Sequence, residues 1–277
     1  IMIMGAFTSI LFISLTSGRM SGQLQLILAI LIAAGTGIVF SLFHAFASIN
    51  MKADQTISGT ALNMFAPAFA IFVARRITGT QQIQFANTFR ITSVPVLGDI
   101  PVIGDLFFKN TYITTYIGFA ILIISTIVLY YTRFGLRLKS CGEHPQAADS
   151  VGINVYKMQY AGVIISGALG GLGGLVFVVP TSTNFNASVA GYGFLALAVL
   201  IFGQWHPVKI LGASLFFGLM KTIAATYSSI PFLSTSGIPS YIYKMVPYIA
   251  TLIVLVFTSK NSQAPKAEGI PYDKGAR

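Results

Sequence analysis

The chain has 277 residues, of which 55% are hydrophobic and only 9% charged, with a mean hydropathy of +0.77. Soluble domains devote about a quarter of their residues to Asp, Glu, Lys and Arg, so this balance excludes an ordinary soluble domain and describes a membrane protein. The net charge of +10 arises from basic residues scattered in ones and twos between apolar runs, which excludes a basic nucleic-acid-binding face and suits membrane topology instead.

In chain order, residues 1–15, IMIMGAFTSILFISL, are apolar from the first position but shorter than the roughly 20 residues a span needs. They lack a basic leader and a small-residue cleavage site. The sequence therefore reads as starting inside a transmembrane helix with upstream residues missing. Apolar segments long enough to cross a bilayer follow at 24–47, 55–77, 113–132, 158–180, 207–227 and 241–258, with a shorter run at 191–204. The expected fold is all-α, a polytopic transmembrane bundle of about eight helices, because helices satisfy their own backbone hydrogen bonds where lipid offers none.

Basic residues orient the bundle. Arg133, Arg137, Lys139 and Lys157 flank one connection, and Lys260, Lys266, Lys274 and Arg277 mark the C-terminal tail, so both are expected to be cytoplasmic. Four spans separate them, an even number, and counting backwards puts 79–112 outside and 48–54 inside. The expected organisation is a permease domain over 1–258, with a cytoplasmic loop at 133–157 and an external loop at 79–112, followed by a cytoplasmic tail at 259–277. Arg75 and Arg76 sit awkwardly at an outer helix end, which leaves either packing or a misplaced boundary. The external loop, rich in Gly, Pro, Asp and β-branched residues, reads as ordered with little helix.

Glycines at 167 and 171, and at 170 and 174, lie four apart on a helix face, the spacing that lets helix backbones approach in lipid; a functional hinge is the alternative. Neither this run nor GYGFLA at 191–196 is a nucleotide site, since no phosphate-binding Lys-Ser/Thr follows and no βαβ unit surrounds them. If ATP is used, another chain must bind it.

Four features could carry chemistry. CGEHPQAADSVGI at 141–153 gathers Cys141, Glu143 and His144, but their spacing points them in different directions and nothing completes a triad or a metal site. Pro145 suits a helix start and Gly152 a helix stop, so a short interfacial helix made for docking is the better reading. Lys221 lies about six residues from the outer end of its span, where its stem can snorkel out or its ammonium can line a pathway. Asn63, followed by Pro67 in mid-span, either bonds a neighbouring helix or contributes to a transport site. Gln204-Trp205-His206-Pro207 reads as a tight inner turn with an interfacial Trp and a solvated or capping His. All seven acids, Asp54, Asp99, Asp105, Glu143, Asp149, Glu268 and Asp273, fall in loops or at span ends, so the proton-carrying carboxylates of ion-driven carriers are missing from the membrane. Energy is expected to enter from outside the membrane domain, and the chain is not expected to be an enzyme.

LKSCGEHPQAADSVGINVYKMQ at 138–159 resembles the cytoplasmic loop of the permease family of ABC importers for ribose, branched-chain amino acids and nucleosides, whose pattern R-x-x-G-E-N-P-x-A-A-x-x-x-G-I-x-V forms the coupling helix. ADQTISGTALN at 53–63 and GYGFLALAVLIFGQWHPVKILGASLFFG at 191–218 are two further similar stretches, and together they resemble most closely the shorter permease of bacterial nucleoside uptake systems. By position, Gly142, Glu143, Pro145, Ala147, Ala148, Gly152 and Ile153 match the motif, while His144 replaces the commoner Asn. The resemblance implies a multi-pass subunit in the bacterial plasma membrane. Its implied partners are a second permease, ABC ATPase subunits that bind the ATP, and an external substrate-binding lipoprotein. It implies alternating access driven by ATP, with no metal or cofactor held by this chain. A stand-alone secondary carrier or channel, or an ABC permease for a sugar or branched-chain amino acid, is the alternative.

Overall fold

The computed structural model describes residues 1–86, 89–93, 104, 108–229, 239–258 and 264–275. Helices dominate. They are α1 (Met2–Leu15), α2 (Gly22–Ala45, continued by a π-helical turn at Phe46–Asn50), α3 (Gln55–Thr78), α4 (Ile113–Tyr131), α5 (Arg133–Glu143), α6 (Pro145–Ser150), α7 (Val155–Thr181), α8 (Tyr192–Phe202), α9 (Pro207–Thr226) and α10 (Ser240–Thr258). All the expected spans appear within a few residues of their sequence boundaries. Among the described residues, five helical segments, α2 with its π turn, α3, α4, α7 and α9, are each long and apolar enough to cross a membrane. The chain divides into two compact units, Ile1–Ala190 with Ala267–Arg277, and Gly191–Lys266.

In the first unit, α1 packs against α2 and α7, and its Met4, Phe7, Ile10 and Ile13 are almost wholly buried. Small residues set these contacts. A Cβ on Gly171 would overlap the Ala33 carbonyl and reach 3.0 Å from the Gly37 Cα, one on Gly167 would strike Ser41, and one on Gly174 would strike the Met2 carbonyl. The glycines of α7 are therefore close-approach positions, since lipid offers no hydrophobic drive to join helices and backbone proximity supplies the contact instead. Gly170 differs from the other three: it meets only the Ile1 side chain, at an ordinary 3.4 Å. A hydroxyl pair, Thr8 Oγ1 to Thr36 Oγ1 at 2.8 Å, adds a polar tie between α1 and α2.

Helix α3 shows how local sequence sets its ends. The Asp54 carboxylate accepts from the backbone N–H of Thr56 (2.7 Å) and Ile57 (3.2 Å), capping the start. The helix passes through Pro67 and stops at Gly79, whose φ of +73° is a left-handed cap. Arg75 and Arg76 occupy the last turn, where cations complement the carbonyl end of a helix. The helix ends within a residue of the expected 77, and the arginines have a local electrostatic reason to be there.

Two short antiparallel pairings involve the expected external loop. β1 (Ile83–Gln84) pairs with β4 (Asn184–Phe185), and β2 (Arg90–Ser93) pairs with β3 (Lys109–Tyr112). Ile83, Phe85, Phe89 and Phe185 are buried beneath them, so the described part of the loop is anchored by aromatic and aliphatic side chains. Asp99 and Asp105 lie outside the described residues, as do Lys260 and Arg277 of the tail.

In the second unit, α9 packs on α8 and α10. Gly191, at φ +74°, opens α8; the element before it, β4, is a two-residue strand paired antiparallel with β1, so GYGFLA is a helix start and not the phosphate cradle of a βαβ unit. Gln204 and Trp205 both adopt left-handed φ values (+51° and +56°), giving the tight turn expected of QWHP. His206 precedes Pro207 at the start of α9 and is half-buried; its ring makes no cap to the helix backbone, so of the two expected readings, solvated or capping, capping is not seen.

Candidate functional site

The stretch from 133 to 157 is more helical than its sequence suggested. Thr132 Oγ1 accepts from the Gly135 N–H at 3.2 Å and starts α5, directly after α4. Gly135 makes the bend possible, because a Cβ there would overlap the backbone of Val128 and Leu129. The Lys139 ammonium sits 3.1 Å from the Tyr130 ring centroid, drawing α5 back toward the end of α4. Burial holds that ammonium below the ordinary lysine range.

Helix α6 follows with Pro145 at its first position. It ends in paired capping bonds, Gly152 N–H to Asp149 O at 2.9 Å and Ile153 N–H to Ala148 O at 3.1 Å. Gly152 has φ +85°, a backbone conformation that side chains with a Cβ resist. The Asn154 side chain then accepts from the Lys157 N–H at 3.0 Å and starts α7.

This geometry sorts the sequence-derived residues into two groups. Pro145 and Ala148 are buried, three apart on the inward face of α6, while Gly142 and Ile153 are half-buried. Glu143, His144, Ala147 and Gly152 are exposed together with Gln146 and Ser150. Val151, which sequence reasoning passed over, is 74% exposed at the tip of the loop. In a chain rich in apolar residues, a single valine carries no sequence signal; only its exposure marks it.

Cys141 is buried with Ala148, Val155 and Tyr272 in a small apolar cluster, and burial pushes its thiol pKa up, the reverse of what a nucleophile needs. No group of three His, Cys, Asp or Glu side chains able to hold a metal occurs among the described residues.

The three segments expected to share one membrane side meet in the structure. Tyr160 donates to the Asn50 side chain, linking α7 to the π-helical turn. The Ala267 N–H donates to the Gly142 carbonyl at 2.9 Å, and Asp273 pairs with Lys52 at 2.8 Å, joining the tail to both connections. The β1–β4 pairing lies at the other ends of α3 and α7.

The two candidate pathway residues belong to different units. Asn63 is exposed on α3, in line with exposed Thr56 and Thr60 at helical spacing. Lys221 is held within the second unit, its ammonium 5.3 Å from the Tyr192 ring and 5.2 Å from the Tyr248 ring.

Residues 1–255 match the family described as branched-chain amino acid transport system permease components. The chain is 46% identical, over its full length and 86% of the relative, to the guanosine ABC transporter permease protein NupQ of Bacillus subtilis. It is 43% identical, over 99% of its length and 86% of the relative, to the nucleoside ABC transporter permease protein NupC of Lactococcus lactis. A second permease of the latter organism, NupB, is 30% identical over 56% of this chain and 42% of its own length. No solved structure matches. The chain belongs to this permease family and is a multi-pass membrane protein, not an enzyme.

Proposed function

We propose that this chain is the membrane permease subunit of an ATP-driven ABC importer for nucleosides, working in the bacterial plasma membrane by alternating access. The observation that carries this reading is similarity along the entire chain to two permeases named for guanosine and nucleoside transport. The exposed loop around α6 supports it with a physical means of energy transfer.

The cytoplasmic loop 133–157 couples to a partner ATPase, which binds the ATP. Glu143, His144, Ala147 and Gly152 of the motif, joined by Val151, form the docking surface. Pro145 and Ala148 fix α6 from beneath, Gly142 receives the tail, and Ile153 completes the terminal cap. ATP binding closes the ATPases, α6 moves with them, and the bundle shifts by the difference in free energy between its two states. A second permease, related to this one as NupB is, completes the membrane unit, and an external lipoprotein delivers the ligand to the 79–112 side. Asn63 and Lys221 are assigned to the pathway: an amide exposed at mid-span and an ammonium between two rings are suited to polar, aromatic nucleosides.

The test is uptake of radiolabelled guanosine by cells carrying the complete system, competed with excess adenosine, glucose or leucine. Competition by adenosine alone is expected. Competition by glucose would favour the sugar reading, which a putative glucose ABC transporter permease of Haloferax volcanii, 28% identical, keeps in play.

A further inference from the structure

Helix α6 has only six residues, too few to hold together without tertiary support, and it buries just Pro145 and Ala148. What supports it comes from the far end of the chain. Residues 267–275 run back along the loop with most side chains exposed, including Glu268, Ile270, Pro271 and Lys274. Tyr272 is the exception, only 5% exposed. Its ring packs edge-on against Tyr156 at 5.3 Å between centroids and covers Cys141, Ala148 and Val155. Burial, and after it the neighbouring Asp149 carboxylate, push its hydroxyl pKa up, and the Asp149 carbonyl is the one that receives the Gly152 cap. One residue further on, the Asp273 carboxylate pairs with Lys52 and also accepts from the Gly275 N–H at 3.1 Å. Lys52 lies two positions before Asp54, the cap of α3, and α3 carries the exposed Thr56, Thr60 and Asn63.

The tail therefore bridges two connections that the chain itself separates by the whole of α3 and α4. We infer that residues 267–275 act as a strap that fixes α6 to the start of α3, with Tyr272 as its anchor and Asp273–Lys52 as its outer tie. This inference rests on the importer reading above. Displacement of α6 by the ATPase then passes directly to the helix bearing the polar stripe, and Tyr272, Asp273 and Lys52 are positioning residues for coupling. Exposed ion pairs are individually weak, so Tyr272 carries more of the effect than the Asp273–Lys52 pair.

The experiment uses the complete transporter in proteoliposomes and measures guanosine taken up per ATP hydrolysed, with co-purification of the ATPase as the assembly check. Tyr272→Ala and a chain ending at Lys266 are expected to lower uptake per ATP about five-fold or more, with the ATPase still bound. Tyr272→Phe, which keeps the ring, should retain most coupling. Lys52→Asp and Asp273→Lys should each lower it by a smaller factor, and the two together should restore it. Unchanged uptake per ATP in the truncated chain, while the unmodified complex transports with ATP, overturns the strap alone. Loss of ATPase binding in Tyr272→Phe as well as Tyr272→Ala also overturns it, since the tail would then be part of the docking surface. Absence of ATP-dependent uptake by the unmodified complex overturns the importer reading and the strap with it.

Discussion

Helix α7 takes part in two kinds of packing at its two ends, and they are built by opposite means. Along its membrane length it meets α1 and α2 through Gly167, Gly171 and Gly174, backbone against backbone. At its start, Val155 and Tyr156 meet α6 and the tail through side chains, Tyr156 in an aromatic pair with Tyr272. The first arrangement has little slack: the atoms facing Gly171 and Gly174 are backbone, and those facing Gly167 are Ser41 and the Gly37 carbonyl. The second consists of contacts that can shift by rotating a side chain, and each is individually modest. A transporter that moves as rigid groups of helices needs both, a stiff body and a joint that transmits without welding.

The largest expected effect comes from breaking the stiff side. Gly171→Leu should cost about 3 kcal/mol or more, because the new atoms meet the Ala33 carbonyl and the Gly37 Cα and neither can move without its helix. It should show as loss of a monodisperse peak in mild detergent, while Gly35→Leu, at a position with nothing within 4 Å, should behave as wild type.

On the joint, Val151→Arg should abolish most guanosine-stimulated ATPase activity with normal membrane insertion, since it places charge and bulk at the exposed tip. Ala148→Leu should also impair coupling but by a different route, pushing Tyr272 and Cys141 apart, so it should in addition expose the tail to protease. Val151→Arg should leave the tail protected.

A smaller effect concerns pH. The Lys52 ammonium, through its hydrogen bond, holds the Asp273 carboxyl below its ordinary range, and the same bond raises Lys52. A depressed carboxylate contributes attachment that is present above its unperturbed pKa of about 3.9 and is lost as pH falls through the lower folded value. A raised lysine contributes attachment below about 10.4 that is lost only as pH rises past its folded value. Tail protection against limited proteolysis should therefore be flat from about pH 5 to 9 and decline only in strong acid. The smallest effect belongs to Gly118→Ala on the open face of α4, expected to stabilise the helix by about 0.5–1 kcal/mol in a thermal melt.

The same contrast explains what the sequence disclosed. Runs of apolar residues bounded by Asp54 and Gly79, or by Asn154 and Ser182, place α3 and α7 because span length and capping chemistry are local. The spacing of Gly167 and Gly171 announced a close helix contact, though not that α1 and α2 would both use it. Helix α5 was hidden because Arg133, Arg137 and Lys139 read as loop charges, yet Thr132 caps it and Lys139 folds onto Tyr130. The motif residues of α6 were legible as a group, but only exposure separates Glu143 and Ala147, which face outward, from Pro145 and Ala148, which hold the helix down. The strap was not legible at all: nothing local in EGIPYDKG pairs Tyr272 with Tyr156, because that contact exists only once the ends of the first unit have been brought together.

In the importer we propose, the delivery of energy to this membrane domain from a partner through α6 is the step on which the rest depends. It is tested most directly by comparing guanosine uptake into proteoliposomes holding this chain alone with uptake into those holding the assembled complex, each with and without ATP and with and without a proton gradient. Uptake is expected only from the complex and only with ATP, indifferent to the gradient; gradient-driven uptake by the chain alone would show instead that energy enters through the membrane domain itself.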